Sequence, residues 1–215
     1  MIRRLEELDI SGKRVFVRAD FNVPVRKGRI TETHRIESTL PTLRFLLAKA
    51  GKLLIAAHLG RPGGKKDPEW SLAPVRDHLE QALSCAVTLA PDCIGSEVEA
   101  LAQDQTRKVI LLENLLFHKE EEANDPAFSQ ALASLADVYV NDAFGTAHRA
   151  HASTAGMAKF FREKGAGILL YKELDYLGRI LSSPERPFVA ILGGAKVSDK
   201  IGVLKNLIQK MDRLL

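Results

Sequence analysis

The chain has 215 residues, of which 46% are hydrophobic, 27% charged and 6% aromatic, a composition that excludes an intrinsically disordered protein and disfavours a base-stacking platform for nucleic acids. The formal net charge of +4 hides two basic ends and an acidic middle, since residues 1–66 carry +9, residues 67–142 carry −11 and residues 143–215 carry +6. Basic ends suit an anionic small molecule or a nucleic acid. No apolar run approaches the ~18 residues of a membrane span, and the N-terminal segment lacks the apolar region of a signal peptide.

Apolar and β-branched runs alternate with helical patterns along the chain. In chain order, the predicted strands cover residues 14–19, 52–58, 86–90, 108–114, 137–143 and 188–194, and another strand begins in the last four residues. The predicted helices cover residues 35–50, 71–83, 95–103, 125–136, 153–164, 172–182 and 197–211. Because parallel strands need crossover connections, which helices supply, the alternation predicts an α/β fold with a doubly wound parallel sheet, in a three-layer Rossmann-like domain.

Local signals mark several boundaries in this pattern. Ser71 is the expected N-cap of its helix, and the acidic run at 119–125 is interpreted as a solvated loop. The segment SSPERP at 182–187 predicts a linker. We therefore expect a first domain over residues 1–182, and a linker with the first strand–helix unit of an incomplete second domain over residues 183–215.

The two cysteines, Cys85 and Cys93, lie in apolar or turn surroundings. No histidine or second cysteine pair stands at a spacing typical of zinc sites. We expect two reduced thiols, as in a cytosolic protein, and no metal ligand in this chain.

Polar and basic residues follow several of the predicted strands. In open α/β sheets, ligands bind beyond the carboxyl ends of the strands. The residues that this rule brings to one edge, including the first residues of the first helix, are Asp20, Asn22, Arg35, His58, Arg61 and Arg149. Since arginine binds phosphate and carboxylate groups bidentately, the set indicates a site for a multiply charged anion.

Structural roles stay open for these residues when each is taken alone. Asp20 and Asn22 fit a turn, and His58 fits a satisfied histidine at a strand end. Glu113 and Asn114, at the end of another predicted strand, fit structural polar groups equally well. The convergence of several such loops, rather than any one of them, favours the anion site.

The segment GGAKVSDK at 193–200 joins a predicted strand to a predicted helix. Backbone N–H groups at a helix N-terminus favour phosphate, and Lys196 and Lys200 lie four residues apart, on one helix face. The spacings of G-x-G-x-x-G and of the Walker A motif are absent. A tight turn with surface lysines is therefore the alternative to a phosphate loop.

Six motifs together point to a known family. They read VFVRADFNVPV (15–25), ITETHRI (30–36), HLGRP (58–62), LLENLLFHKEEE (111–122), YVNDAFGTAHRAHAS (139–153) and ILGGAKVSDKIGVLKNL (191–207). In this order, and over nearly the whole chain, they resemble the phosphoglycerate kinase family.

The resemblance implies two domains with a cleft between them and reversible phosphoryl transfer between 1,3-bisphosphoglycerate and ADP in glycolysis. The N-terminal domain would bind 3-phosphoglycerate or 1,3-bisphosphoglycerate, and the C-terminal domain would bind ADP or ATP with Mg²⁺. A cytoplasmic monomer without nucleic-acid or membrane partners is also implied. Two other functions stay open: a non-catalytic anion-binding module, and a nucleic-acid binder suggested by the basic ends.

Carried over motif by motif, the resemblance assigns roles to individual positions. The substrate-binding positions would be Asp20, Asn22, Arg35, His58, Arg61, Leu116 and Arg149. The catalytic positions would be Arg35, Lys196 and Lys200. The nucleotide-binding positions would be Gly193, Gly194, Ala195, Lys196 and Lys200.

The chain departs from the family pattern in two ways. The family reads ENLRFH, with an arginine in the substrate site, whereas ENLLFH here puts Leu116 at that position. The groups that hold the adenosine would lie beyond Leu215. We therefore expect the substrate-binding half of the enzyme, with negligible kinase activity by itself.

We expect Leu116→Arg to strengthen the binding of 3-phosphoglycerate. A charge-assisted hydrogen bond contributes about 1.5–3 kcal/mol, which corresponds to a gain of roughly ten- to hundredfold in affinity. Titration calorimetry on both chains measures this gain. An unchanged affinity in a folded variant would contradict the role assigned to this position.

Overall fold

A computed structural model describes residues 2–182, 184–191, 202, 208 and 210–215. Its internal contacts divide the chain into two compact units, Met1–Tyr171 and Lys172–Leu215. All the substrate-binding positions predicted from the sequence lie in the first unit.

The first unit is built on one large sheet. Its strands are β1 (Arg14–Arg18), β2 (Val25–Arg26), β3 (Arg29–Ile30), β4 (Lys52–Ala56), β5 (Thr88–Leu89), β6 (Val109–Leu111), β7 (Val138–Asn141) and β8 (Glu163–Ala166). Strands β2 and β3 form a separate antiparallel hairpin. The other six form a sheet in the order β5-β6-β4-β1-β7-β8, in which every neighbouring pair is parallel.

Helices cover both faces of this sheet. They are α1 (His34–Lys49), α2 (Ala73–Leu83), α3 (Ser96–Gln103), α4 (Lys119–Glu122) and α5 (Pro126–Ser134), and a further helix, α6 (Ile168–Ser182), begins in this unit and continues into the second. Successive side chains of β1 point to opposite faces, so Val17 packs in one core cluster with residues of α1 and α2, and Phe16 in a second cluster with residues of α3 and α5. The three-layer, doubly wound fold is therefore confirmed.

The winding of the sheet reverses at β1. From β1 the chain moves to β4 on one side, and after β6 it returns to β7 on the other side. In this register Arg18 pairs with Ala56 of β4 and with Asn141 of β7. Three carboxyl strand ends therefore lie side by side, at the switch point where ligands of doubly wound sheets bind.

Two predictions of local structure in the first unit are wrong. The helix predicted over 153–164 is replaced by short turns and by β8, which pairs with β7. Strand β8 reads EKGA and has no β-branched residue, so its pairing depends on the neighbouring strand rather than on propensity. The N-cap of α2 is Leu72 rather than Ser71. The Ser71 hydroxyl instead donates to the Glu113 carboxylate at 2.7 Å, and Leu72 N donates to the same group.

The second unit contains a small parallel pair, β9 (Val189–Ala190) and β10 (Arg213–Leu214). The strand predicted in the last four residues is confirmed, and α6 contains the helix predicted over 172–182. Residues 192–194 of the predicted strand, and most of the helix predicted over 197–211, lie outside the described residues. Within the described part of the chain, no helix has the length and apolar composition that crossing a membrane requires.

A buried carboxyl group joins the end of β7 to the start of α6. Asp142 Oδ1 accepts a hydrogen bond from Leu170 N at 3.0 Å, whereas Oδ2 has no partner among the described residues. Burial raises the pKa of Asp142 to about 6. The folded state therefore favours the protonated carboxyl group of Asp142. Its contribution to the free energy of unfolding is fully present below about pH 4 and is lost as the pH rises through about 6.

We expect Asp142→Asn to remove this pH dependence. Relative to the variant, the wild-type chain should lose up to about 3 kcal/mol of unfolding free energy between acidic and neutral pH. Urea titrations of both chains at several pH values measure the difference. Asp137→Asn is the control, because Arg14 lowers the pKa of Asp137 and its difference should run in the opposite direction. A constant difference for Asp142→Asn would contradict the assignment.

Candidate functional site

The residues after β1, β4 and β7 meet at the switch point of the sheet. Asp20 follows β1, His58 follows β4, and Arg149 lies in the loop after β7. Arg35, the second residue of α1, reaches the same edge. Asp20 and His58 are buried, whereas Arg35 and Arg149 are exposed. The fold therefore brings together residues that are up to 129 positions apart in the sequence.

Asp20 and Arg35 form an ion pair at this edge. Arg35 Nη1 donates to Asp20 Oδ2 at 2.5 Å, and the arginine side chain stays 49% exposed. Gly145, in the loop after β7, lies directly against the pair, since a Cβ atom there would stand 2.5 Å from Asp20 Oδ2. Asp20 Oδ1 also accepts from Asn22 N. The carboxylate therefore shapes the turn and also orients an arginine that is open to a ligand.

The loop after β4 is tied to the loop after β1. Gly60 N donates to Asn22 Oδ1 at 2.9 Å. Gly60 has a φ of +64°, and a Cβ atom on it would lie 1.9 Å from the Trp70 ring, so the position requires glycine. The next residue, Arg61, is exposed. Within the described part of the chain, neither its guanidinium nor that of Arg149 has a hydrogen-bond or ion-pair partner.

Asn114 holds the loop that carries His58. Its Oδ1 accepts from Leu59 N at 3.3 Å and from Leu116 N at 3.0 Å. Its Nδ2 donates to Leu59 O at 2.7 Å and to Trp70 O at 2.9 Å. With all four bonding positions occupied by backbone groups, Asn114 acts as a structural residue that positions the site.

The ring of His58 is held against a buried arginine. Arg18 Nη2 lies 3.3 Å from His58 Nδ1. Burial lowers the pKa of His58 to about 3, and the positive charges of Arg18, Arg149, His151 and Arg35 act in the same direction. His58 is therefore neutral near pH 7, and the positive charge of the site comes from its arginines.

A network of buried hydrogen bonds holds Arg18 in place. Arg18, which is 1% exposed, donates from Nε to Ser153 Oγ at 2.7 Å and from Nη1 to the Ala19 carbonyl. Ser153 in turn donates from Oγ and from its backbone N to the Glu121 carboxylate, at 2.5 and 2.9 Å. The Tyr139 hydroxyl donates to Ser153 O at 2.8 Å. A cation and an anion are thus buried together with one shared serine between them.

Sequence reasoning missed the members of this network. The interpretation of 119–125 as a solvated loop is wrong at Glu121, which is fully buried. Nothing in the run KEEEAND distinguishes Glu121 from its neighbours. Arg18 carried a usable signal, because the two-residue period of a strand puts it on the same buried face as Phe16.

Leu116 lies in a single turn of 3₁₀-helix after β6. Its side chain is 6% exposed, and its carbonyl accepts from Gly64 N at 3.0 Å. This position supplies no charge to the edge. The predicted nucleotide-binding and catalytic residues Gly193, Gly194, Ala195, Lys196 and Lys200 lie outside the described residues.

The fold also brings Asp92, Cys93 and His118 together. The side-chain atoms through which these residues could bind a metal ion lie within 4.8 Å of one another, a proximity that the sequence spacing did not reveal. His118 Nε2 lies 2.5 Å from Asp92 Oδ1, and the Cys93 thiol donates to Glu113 O at 2.9 Å. Burial raises the pKa of this thiol well above its usual value. Hydrogen bonding within the protein therefore accounts for the cluster.

Comparisons with known proteins agree on one family. The family model described as phosphoglycerate kinase matches residues 5–215. A protein named phosphoglycerate kinase from Anaeromyxobacter sp. (strain K) is 57% identical over 99% of this chain and 55% of its own length. One of the same name from Dictyoglomus turgidum is 55% identical over 98% of this chain and 53% of its own length. The chain thus spans about half the length of the curated relatives it matches.

Solved structures give the same result. The phosphoglycerate kinase from Coxiella burnetii has a TM-score of 0.85 at 40% identity, over 100% of this chain and 54% of its own. The enzyme of that name from Pyrococcus horikoshii OT3 has a TM-score of 0.88 at 32% identity, with the same coverage.

We expect Gly60→Ala to destabilise the chain more than Gly63→Ala does. Both glycines have a similar positive φ, but only Gly60 faces the Trp70 ring, and a Cβ on Gly63 would meet nothing within 4 Å. The extra overpacking should cost about 1–3 kcal/mol of unfolding free energy. Urea unfolding of the two variants measures it, and equal losses would show that the Trp70 contact is unimportant.

Proposed function

This chain belongs to the phosphoglycerate kinase family, and we propose that residues 1–182 form the domain that binds 3-phosphoglycerate or 1,3-bisphosphoglycerate. The whole protein would transfer a phosphoryl group reversibly between 1,3-bisphosphoglycerate and ADP, giving 3-phosphoglycerate and ATP. Residues 183–215 would supply the linker and the first strand–helix unit of the nucleotide-binding domain. We assign the protein to the cytoplasm as a monomer, without nucleic-acid or membrane partners.

This proposal rests chiefly on the unneutralised cations at the switch point. Arg61 and Arg149 have no carboxylate partner among the described residues, and Arg35 shares its charge with Asp20 alone. Buried His58 adds a ring but no charge. An anion with a phosphate at one end and a carboxyl group at the other would offset the excess charge and engage several guanidinium groups.

The proposed chemistry needs alignment and dispersed positive charge more than covalent catalysis. Arg61 and Arg149 would hold the non-reacting phosphate, and Asp20 would orient Arg35 toward the reacting carboxyl oxygen. Lys196 and Lys200 would stabilise charge on the moving phosphoryl group. Mg²⁺ would arrive with ADP or ATP, and we assign it no ligand in this chain.

One observation favours a second function, a non-catalytic anion-binding module. Leu116 places an apolar, nearly buried side chain at a position where the family pattern has an arginine. Binding of 3-phosphoglycerate without turnover, in a chain extended to the full length of its relatives, would favour the module. Turnover in that longer chain would favour the enzyme.

We expect Arg149→Ala to weaken the binding of 3-phosphoglycerate to the 215-residue chain. Loss of one charge-assisted contact corresponds to about tenfold or more in affinity. Arg107→Ala is the matched control, since Arg107 is also exposed but precedes β6, at the amino edge of the sheet. Calorimetry with 3-phosphoglycerate, and with a random oligonucleotide for comparison, measures both. Equal effects of the two variants, or tighter binding of the oligonucleotide, would contradict the proposed ligand.

A further inference from the structure

The contact between Arg18 and His58 constrains where the imidazole carries its proton. A guanidinium group has five N–H donors and no acceptor, and it stays charged in proteins. Arg18 Nη2 lies 3.3 Å from His58 Nδ1, so Nδ1 must accept the hydrogen bond. A neutral imidazole whose Nδ1 accepts carries its single proton on Nε2.

The orientation of Arg18 is itself fixed. Its Nε donates to Ser153 Oγ and its Nη1 to the Ala19 carbonyl, so each of the three guanidinium nitrogens has a separate partner. Glu121 accepts from Ser153 and supplies the buried negative charge that offsets the guanidinium. With all three nitrogens engaged, rotation that would release His58 costs at least one buried hydrogen bond.

The other ring nitrogen of His58 is left for a ligand. Among the described residues, Nε2 has no protein hydrogen-bond partner, although the residue is only 7% exposed. The charged and titratable groups that act on the ring are Arg18 from β1, Arg35 from α1, and Arg149 and His151 from the loop after β7. All of them disfavour a second proton on the imidazole. The ring therefore offers one N–H donor without a charge.

We propose that Arg18 is a positioning residue that fixes His58 as the neutral Nε2–H tautomer, so that His58 donates one uncharged hydrogen bond to an oxygen of the bound anion. The identity of that anion rests on the function proposed above, whereas the tautomer does not. The arginines and His58 would therefore recognise different properties of the anion. The arginines select for negative charge, and His58 selects for an acceptor oxygen at one fixed place.

The tautomer is measured directly by ¹⁵N NMR of the histidine rings in the ligand-free 215-residue chain. The six histidines are distinguished by substitution, and the signals lost in His58→Gln belong to His58. We expect Nδ1 of His58 to show the chemical shift of an unprotonated nitrogen and Nε2 that of a protonated one at neutral pH. A protonated Nδ1, in either the other tautomer or the imidazolium, would overturn the proposal whatever ligand the chain binds.

The role of Arg18 is tested by comparing two substitutions in the same buried network. Arg18→Met removes the donor to Nδ1, so both tautomers of His58 should appear in the spectrum. Tyr139→Phe, which removes only the hydroxyl's bonds to the carbonyls of Ser153 and Thr154, should leave the Nε2–H tautomer unchanged. If Arg18→Met does not fold, Arg18→Lys replaces it, and its ammonium group, which can donate to Nδ1 but cannot accept, should preserve the tautomer. Persistence of pure Nε2–H in folded Arg18→Met, or its loss in folded Arg18→Lys, would contradict the role of Arg18.

The uncharged donor is tested by the pH dependence of binding. In His58→Gln the side-chain amide can still donate but cannot ionise. The ratio of 3-phosphoglycerate affinities between wild type and this variant should therefore stay within about twofold from about pH 5.5 to about pH 8, the range in which an unperturbed histidine changes charge. A ratio that rises steadily toward acidic pH would show a charged His58 and overturn the proposal. Absence of any 3-phosphoglycerate binding would contradict the proposed function, while the NMR result would still decide the tautomer.

Discussion

Burial of a single guanidinium group is the constraint on which the candidate site depends. An unpaired charge inside a protein is strongly destabilising, so Arg18 can be buried only where polar partners surround it. Those partners come from separate parts of the chain: His58 after β4, Ser153 after β7, and Glu121 from α4 through Ser153. Satisfying one cation at the end of β1 therefore fixes two loops and the short helix α4 relative to one another.

The same constraint explains why the buried part of the site has paired charges, whereas the exposed part has unpaired ones. Beneath the edge of the sheet, the charges of Arg18 and Glu121 are each held by directed hydrogen bonds that meet at Ser153. At the surface, Arg61 and Arg149 have no protein partner among the described residues. A rigid base with uncommitted cations above it favours a ligand that is both anionic and of defined shape, because little reorganisation is needed on binding.

The sequence was sufficient for the fold and for the residues that reach the edge of the sheet. Alternating patterns revealed the strands around the switch point, and the rule for open sheets placed Asp20 and His58 together. Strand β8 could not be predicted, because EKGA becomes a strand only through its pairing with β7. Glu121 could not be predicted either, since its burial depends on Ser153, 32 residues away in the chain. Long-range partners, rather than local preference, decide both.

Gly145, in the loop after β7, determines how much space the Asp20–Arg35 ion pair has. Because a Cβ atom there would stand 2.5 Å from Asp20 Oδ2 and 3.6 Å from Arg35 Nη1, the absence of a side chain at position 145 is what leaves room for the ion pair. The two positions should therefore vary together among homologous sequences. A larger residue at 145 would have to displace the Asp20 carboxylate or be accompanied by a shorter side chain at position 20, and either change would release Arg35 from its ion pair.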